Sequence, residues 1–147
     1  MTDADPIVNI PPGIDIRAFR PADGDMLRAL WLEAGFRLIG DDDDGLARFA
    51  ARNPGSFLVA DQGGRIVGSA MGGWDGRRGW IYHVTTASDH RRLGLGSALV
   101  GCVEGVLRGL GCPRCLVIVE DGNREALAFW HARGYRRRET SQLGKPL

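Results

Sequence analysis

The chain has 147 residues, of which 44% are apolar and 25% charged, a composition typical of one globular domain. A net charge of +1 gives no strong field, so we expect neither nucleic acid nor a membrane surface as a partner. No apolar run is long enough to cross a bilayer, and Met1–Pro12 lacks the features of a secretory signal. We therefore expect a cytoplasmic protein with a flexible tail over 1–12 and one folded domain over 13–147.

The first third of the sequence predicts one strand and two helices. Ile14–Ala18 alternates apolar and polar residues, as a half-buried strand does. Asp23 is placed to cap a first helix, whose apolar residues recur at helical spacing until Gly35. Four acids, Asp41–Asp44, precede a second helical stretch, Leu46–Ala51. Because acids favour helix starts, we interpret the run as the cap of this helix, with a binding patch for a cationic substrate as the alternative.

Three antiparallel strands follow. Phe57–Ala60 and Ile66–Gly73 flank Gly63-Gly64, a pair that supplies the positive φ angles of a tight hairpin turn. A second turn separates them from a third strand, Trp80–Thr86. A long amphipathic helix comes next, over Leu95–Leu110.

The last third predicts a strand, a helix and a final strand. The continuous apolar run Leu116–Val119 is typical of a strand covered on both faces. Asn123 begins the last helix, which Gly134 ends, and we expect a further strand over 135–143. The fold class is α+β, with helices around one mixed, mostly antiparallel sheet and a crossover helix between its fourth and fifth strands.

The sequence contains three cysteines, an odd number that argues against a disulfide framework. Cys112 and Cys115 form a Cys-x-x-Cys pair, which is found in redox sites and in half of a zinc site. The pair falls between a helix and a strand and has no second pair of ligands. We favour two half-buried thiols and predict no metal site.

The segment Arg91–Gly96 reads Arg-Arg-Leu-Gly-Leu-Gly and joins a predicted strand to the start of a helix. A helix start has unpartnered N–H groups and partial positive charge, and glycines let an anion approach them closely. The segment therefore predicts a phosphate-binding loop. It lacks the Gly-Lys-Ser/Thr of a P-loop, and Leu99 occupies the third glycine position of a dinucleotide fingerprint.

The spacing Arg-x-x-Gly-x-Gly at Arg91, Gly94 and Gly96 resembles the pyrophosphate signature of the GNAT superfamily, the acyl-CoA-dependent N-acetyltransferases. The predicted element order resembles the GNAT fold from Ile14 to Leu143. A later motif, which runs from Asn123 through Ala126, Phe129 and Trp130 to Gly134 and Tyr135, is also similar. The segments 71–76 and 143–145 further resemble the YpeA-type bacterial branch.

The resemblance implies a single-domain GNAT fold with acetyl-CoA as co-substrate, bound where a strand pair splays apart. In the family, backbone amides of the loop bind the pyrophosphate, and the pantetheine arm pairs with the preceding strand as an added strand would. Asn123 matches an asparagine that helps to hold the cofactor, although it is equally suited to cap its helix. The residues implied for the cofactor are Val84, Thr85, Thr86, Arg91, Arg92, Leu93, Gly94, Leu95, Gly96, Ser97, Asn123 and Trp130.

The resemblance also implies direct attack of a neutral amine on the thioester, with a backbone N–H near Thr86 as the oxyanion donor. Trp130 stands where the family has its acidic tyrosine, and an indole supplies no usable proton. Glu120 and Tyr82 are the candidate bases, followed by His83 and His90. We expect His90 to face solvent or the cofactor phosphates.

We therefore predict an acetyl-CoA-dependent N-acetyltransferase that acts on a small-molecule or protein amine. The alternative is a non-catalytic acetyl-CoA-binding sensor or regulatory module, which the substitution at Trp130 keeps open. We expect the variable loops Phe36–Asp44 and Trp74–Arg78 to form the acceptor site. The sequence leaves the oligomeric state open, and a homodimer would be unsurprising for the family. The arginines at 133 and 136–138 are interpreted as a solvated helix end.

Overall fold

The computed structural model describes residues 8–147, and the first seven residues of the predicted tail lie outside them. The structure divides the chain into two compact units, Met1–Val117 and Ile118–Leu147. The division into a tail, 1–12, and a domain, 13–147, stays a prediction. Within residues 8–147, no helix is both long and apolar enough to cross a membrane.

The first unit contains three α-helices and five strands in the described residues. The strands are β1 Asp15–Ala18, β2 Phe57–Gln62, β3 Arg65–Trp74, β4 Gly79–Thr86 and β5 Cys115–Leu116, and the helices are α1 Gly24–Glu33, α2 Asp43–Arg52 and α3 Leu95–Gly109. Single 3-10 turns over Pro21–Asp23 and Ser88–His90 precede α1 and the loop to α3. The second unit contains α4, Arg124–Ala132.

The five strands form one sheet in the order β1-β2-β3-β4-β5. The first four pair antiparallel, and β5 pairs parallel to β4. This arrangement confirms the predicted α+β fold with a mixed, mostly antiparallel sheet. The predicted hairpin turn is also confirmed, since Gly63 and Gly64 both have positive φ, at 60° and 95°.

Alternation along β3 separates the two faces of the sheet. Met71 joins a buried cluster on the face of α1 and α2, together with Leu27, Trp31, Leu46, Phe57, Val59 and Ile66. On the other face a Cβ at Gly72 would collide with Val103 of α3. The small residues of β3 therefore let α3 lie close against the sheet while α1 and α2 bury the opposite face.

The structure corrects three predictions about the elements. The side chain of Asp23 does not cap α1 but accepts hydrogen bonds from Arg17 Nη1 and Nη2, both at 2.9 Å, because a buried carboxylate needs a cationic partner. The fifth strand ends at Leu116 rather than at Val119, because apolar composition predicts burial but not pairing. The predicted strand over 135–143 does not form in the described chain, where residues 136–147 are exposed.

The second unit carries the arginine cluster at the end of α4. Arg136 Nη1 donates to the carbonyl of His131 at 3.0 Å, and Arg133 Nη1 donates to the carbonyl of Phe129 at 2.6 Å. These cations hydrogen-bond the carbonyls of the last turn, where the helix dipole is negative. The contacts agree with the interpretation of Arg133 and Arg136 as a helix end.

Candidate active site

The predicted phosphate loop leads into α3 through two left-handed residues. Arg92 has φ 64° and Gly94, the N-cap of α3, has φ 78°. Ala98 N–H donates to the Gly94 carbonyl, whereas no hydrogen bond from the N–H groups of residues 95–97 is found in the described chain. Three adjacent N–H groups at a positive helix end form a site that fits a phosphate group. Gly94, with no Cβ, occupies the left-handed position without strain.

Ion pairs to the β2–β3 hairpin hold the start of this loop. Asp89 accepts two hydrogen bonds from the Arg65 guanidinium, at 2.8 and 3.1 Å, and a third contact, at 2.8 Å, joins it to His90 Nδ1. The Arg65 bonds, followed by the one from His90, hold the pKa of Asp89 well below its ordinary value. The other nitrogen of His90 lies 2.7 Å from Gln62 Oε1. His90 is buried, so the expectation that it faces solvent or the phosphates is wrong.

The strand before the loop has one open edge. The parallel ladder joins β5 to β4 only at Gly79 and Trp80. On the opposite edge Thr85 and Thr86 pair with β3. Val84 and its two neighbours are half-buried. Within the described residues, β4 is therefore paired on one side only beyond Trp80, which leaves backbone groups for an extended amide-containing ligand.

A β-bulge interrupts β4 beside this edge. Ser69 pairs with Thr85 and Met71 with Tyr82, so that His83 and Val84 together oppose a single residue of β3. His83 has φ 48°, an uncommon conformation for a residue other than glycine. The hydroxyl of Ser69 stabilises it by donating to the His83 carbonyl at 2.7 Å and accepting from Trp31 Nε1 at 2.8 Å.

The bulge directs the side chains of Tyr82 and His83 to the same face of the sheet. The His83 ring packs between Trp31 and Phe36, with centroid distances of 4.6 and 4.8 Å. Its Nε2 lies 3.0 Å from Oδ2 of Asp41, and both side chains are largely buried. Because a carboxylate only accepts, Nε2 carries the proton of the neutral ring and Nδ1 keeps a lone pair. Nδ1 has no hydrogen-bond partner in the described chain.

Three of the acids at residues 41–44 make different contacts in the structure. Asp42 caps α2 by accepting from Gly45 N at 2.8 Å, which confirms the capping interpretation for this residue. Asp43 pairs with Arg28 at 2.8 Å. Asp41 instead holds His83, a partner that capping chemistry does not predict.

A cavity of about 480 Å³ lies between α2 and the β3–β4 hairpin. Gly40 lines it together with Trp74, so it lies between the two loops that were expected to form the acceptor site. Tyr82 also lines it, and burial, helped by the negative charge of Asp75, raises the pKa of its phenol. A phenol with a raised pKa stays protonated at neutral pH, so Tyr82 holds its proton and has no free lone-pair anion to act as a base in that state.

The remaining predicted site residues belong to the second unit. Asn123 caps α4, because its Oδ1 accepts from Ala126 N at 3.1 Å. Trp130 is buried and makes edge contacts with Phe129 and Tyr135, at centroid distances of 5.1 and 4.8 Å. Glu120 is exposed. The roles of Asn123 and Trp130 in cofactor binding, and that of Glu120 as a base, stay predictions.

Comparison with known proteins agrees with this geometry. The sequence model of the acetyltransferase (GNAT) family matches residues 19–135. An acetyltransferase of Yersinia enterocolitica is 33% identical over 135 residues, which are 91% of this chain and 96% of the relative. A crystal structure of Ard1 from Thermoplasma volcanium has a TM-score of 0.75 at 23% identity and covers 83% of this chain and 82% of its own.

A second solved structure shares the fold at lower identity. The PaiA N-acetyltransferase from Thermoplasma acidophilum, crystallised in complex with coenzyme A, has a TM-score of 0.75 at 16% identity. The match covers 87% of this chain and 92% of that protein. At these identities the two solved structures show a shared fold, whereas the family match and the Yersinia relative show common membership.

Proposed function

The chain belongs to the GNAT family of acetyltransferases, and we propose that it transfers the acetyl group of acetyl-CoA to a primary amine by direct attack of the amine on the thioester. The observation that carries the proposal is the continuous path from the open edge of β4 to the free N–H groups at the start of α3. An extended amide-rich arm fits the edge, and a pyrophosphate fits the helix start.

The residues of this path fit acetyl-CoA by their chemistry. Val84, Thr85 and Thr86 would offer backbone donors and acceptors to the pantetheine amides, and the N–H groups of the loop over 92–97 would bind the pyrophosphate. The exposed guanidinium groups of Arg91 and Arg92 add positive charge. Acetyl-CoA supplies an activated acyl group, which needs no covalent attachment to the protein.

The reaction balances without any further reagent. The amine nitrogen forms a bond to the carbonyl carbon as the bond from that carbon to sulfur breaks, and one amine proton passes to a base. The departing sulfur takes the electron pair of the broken bond. A backbone N–H at the end of β4 stabilises the negative charge that develops on the carbonyl oxygen.

The His83–Asp41 pair is the proton acceptor that the first unit supports best. Its Nδ1 lone pair has no partner in the described chain, and the ring lies on the sheet face that also carries Tyr82. Asp41 stabilises the imidazolium that forms. Glu120 is the alternative base, and its test is Glu120→Gln.

The variant His83→Asn tests this assignment, because asparagine tolerates a positive φ but cannot act as the base. A general base acts only when it is unprotonated, so kcat/KM of the native protein should rise with pH until the base has lost its proton. We expect His83→Asn to lose at least about a hundredfold in kcat, the usual scale of general base catalysis, and to lose this pH dependence. Unchanged calorimetric binding of acetyl-CoA serves as the control for folding. A retained pH profile would exclude His83 as the base.

One alternative remains within the family, a module that binds acetyl-CoA without turnover. Trp130 favours this alternative, because its indole has no acidic proton to give to the departing sulfur. A panel of primary amines, followed by release of the coenzyme A thiol, separates the two. Turnover of any amine above the hydrolytic background supports the enzyme. Tight binding of acetyl-CoA without turnover across the panel would favour the regulatory module.

A further inference from the structure

One wall of the 480 Å³ cavity carries two positive charges. Arg48 and Arg52 lie four residues apart in α2, so their side chains share one face of the helix. Both line the cavity, and neither guanidinium has a hydrogen-bond or ion-pair partner among residues 8–147. Free guanidinium groups side by side are suited to a carboxylate, which each can bind with two hydrogen bonds.

The indole of Trp74 adds a third donor to the same cavity. Its Nε1 is buried and has no hydrogen-bond partner in the part of the chain that the structure describes. An indole N–H can only donate, and a buried donor without a partner is unfavourable. The backbone N–H of Trp74 donates to Oδ1 of Asn53 at 2.9 Å, which holds Trp74 in place. The unpartnered indole N–H therefore lies next to the cavity without an acceptor in the described chain.

Asp75 is the one acid among the residues that line the cavity, within the described chain. Its carboxylate accepts from the backbone N–H groups of Arg78 and Arg77, at 2.9 and 2.7 Å, and these bonds lower its pKa. Asp75 is exposed, and its carboxylate is bonded within the hairpin turn. The two arginines therefore give the cavity lining a net positive charge. Four aromatic residues also line the cavity, with Trp80 stacked 6.5 Å from Tyr82 and Phe49 edge-on to Tyr82 at 6.1 Å.

Arg48 and Arg52 lie several residues along α2 from the residue that holds the proposed base. Asp41, which holds His83, precedes the N-cap of α2 by one residue. At 1.5 Å per residue, Arg48 lies about 9 Å and Arg52 about 15 Å along the helix from that N-cap. The two arginines therefore lie well along α2 from Asp41. His83 itself does not line the cavity, whereas Tyr82, its neighbour in β4, does.

We propose that the acceptor of this acetyltransferase is an extended primary amine that carries a carboxylate several bonds from its nitrogen, with the carboxylate on Arg48 and Arg52 and the nitrogen on the side of the cavity that Tyr82 lines, next in sequence to His83. The proposal rests on the proposed function, since it names the substrate class of the same site. The aromatic side chains of Phe49, Trp80 and Tyr82 contact the connecting methylene chain. Polycationic amines are disfavoured, because their distal charge would meet two arginines.

Three amines of equal chain length test the proposal: ε-aminocaproate, hexylamine and hexamethylenediamine, which differ only in the distal group. We expect kcat/KM to be about tenfold higher for ε-aminocaproate than for hexylamine, equivalent to about 1.4 kcal/mol, and lowest for the diamine. Arg48→Gln and Arg52→Gln should each lower kcat/KM for ε-aminocaproate by about tenfold, mainly through KM, without affecting hexylamine. Glutamine preserves the helix propensity of α2. Arg114→Gln, an exposed arginine outside the cavity, is the matched control and should change neither substrate.

Calorimetry separates failure of this proposal from failure of the proposed function. The titrant is ε-aminocaproate, added to the protein saturated with coenzyme A. Binding that Arg48→Gln and Arg52→Gln weaken would support the carboxylate site even if no amine were turned over, in which case the transfer reaction would be the part that fails. Equal affinity for ε-aminocaproate and hexylamine, or binding that both substitutions leave unchanged, would overturn the carboxylate site whatever the turnover.

Discussion

The hydroxyl of Ser69 links the buried core to the bulge of β4, so Ser69→Ala is a direct test of how the site is held. Ser69 is fully buried, and its Oγ accepts from Trp31 Nε1 at 2.8 Å and donates to the His83 carbonyl at 2.7 Å. Alanine removes both bonds and introduces no new group. The indole N–H of Trp31 and the carbonyl of His83 are then left without partners.

The expected loss of stability follows from these two groups. A buried donor or acceptor without a partner costs about 1–3 kcal/mol. The carbonyl of His83 should cost an amount near the lower end of this range, because His83 is half-buried. We therefore expect Ser69→Ala to reduce the free energy of unfolding by about 2–4 kcal/mol. This is a large part of the roughly 5–15 kcal/mol typical of a domain. Urea titration monitored by tryptophan fluorescence and by circular dichroism measures the change.

Two further variants complete the test. Ser88→Ala removes an exposed hydroxyl whose contact with Glu33 is 3.5 Å long, and it should change stability by less than about 0.5 kcal/mol. In a double-mutant cycle, Ser69→Ala and Trp31→Phe should be coupled by about 1 kcal/mol, because both remove the same hydrogen bond. A loss below about 1 kcal/mol for Ser69→Ala, or strict additivity in the cycle, would refute the link between the core and the bulge.

Two other predictions concern a buried ion pair and the aromatic residue of α4. Burial raises the pKa of Asp23, but hydrogen bonds from Arg17 and from the Arg20 N–H outweigh it, and the pKa lies below its ordinary value. Asp23→Asn should therefore cost about 1–3 kcal/mol of unfolding free energy at pH 7. This difference should persist above about pH 5 and shrink below about pH 4, where protons bind the carboxylate of the unfolded chain before that of the native protein. A difference independent of pH in urea titrations would argue against the ion pair. Trp130→Tyr should raise kcat in the thiol-release assay, because a phenol can donate a proton where an indole cannot. A kcat equal to or below the native value would show that the sulfur departs without that proton.

Local sequence signals were sufficient to predict most of the helices and strands and the turn that leads into α3. Gly63-Gly64 predicted its hairpin because positive φ at both positions is a property of the residues themselves. Gly94 predicted the entry to α3 for the same reason. Burial on one face of α3 followed from the spacing of its apolar residues, and the same spacing placed α1 and α2.

The centre of the site depends on contacts that no local pattern encodes. His83 and Asp41 lie 42 residues apart, and they meet only because the loop before α2 passes over β4. The bulge at His83 depends on the register between β3 and β4, and Ser69, which stabilises it, resembles any small strand residue in the sequence. The run of acids at 41–44 suggested capping, which is correct for Asp42 and does not extend to Asp41.

The predicted final strand failed for a related reason. A strand forms only where a neighbouring strand is available to pair with it, and the apolar residues after Tyr135 are too few to form a buried face. The side chain of Asp23 likewise found a stronger partner in Arg17 than in the helix N-terminus that its position suggested. In both cases a tertiary contact, or its absence, overrides the local preference.

The central claim is that the loop before α3 binds acetyl-CoA. Calorimetric titration with acetyl-CoA tests it most directly, on the native protein and on the variants Gly94→Glu and Gly111→Glu. Both glycines have positive φ and open space where a Cβ would lie, and they flank opposite ends of α3, so the two variants carry equal charge and similar backbone strain. We expect micromolar binding by the native protein and by Gly111→Glu, and none by Gly94→Glu, whose carboxylate would repel the pyrophosphate. Absence of binding by the native protein, or equal binding by both variants, would contradict the assignment of this loop as the acetyl-CoA site.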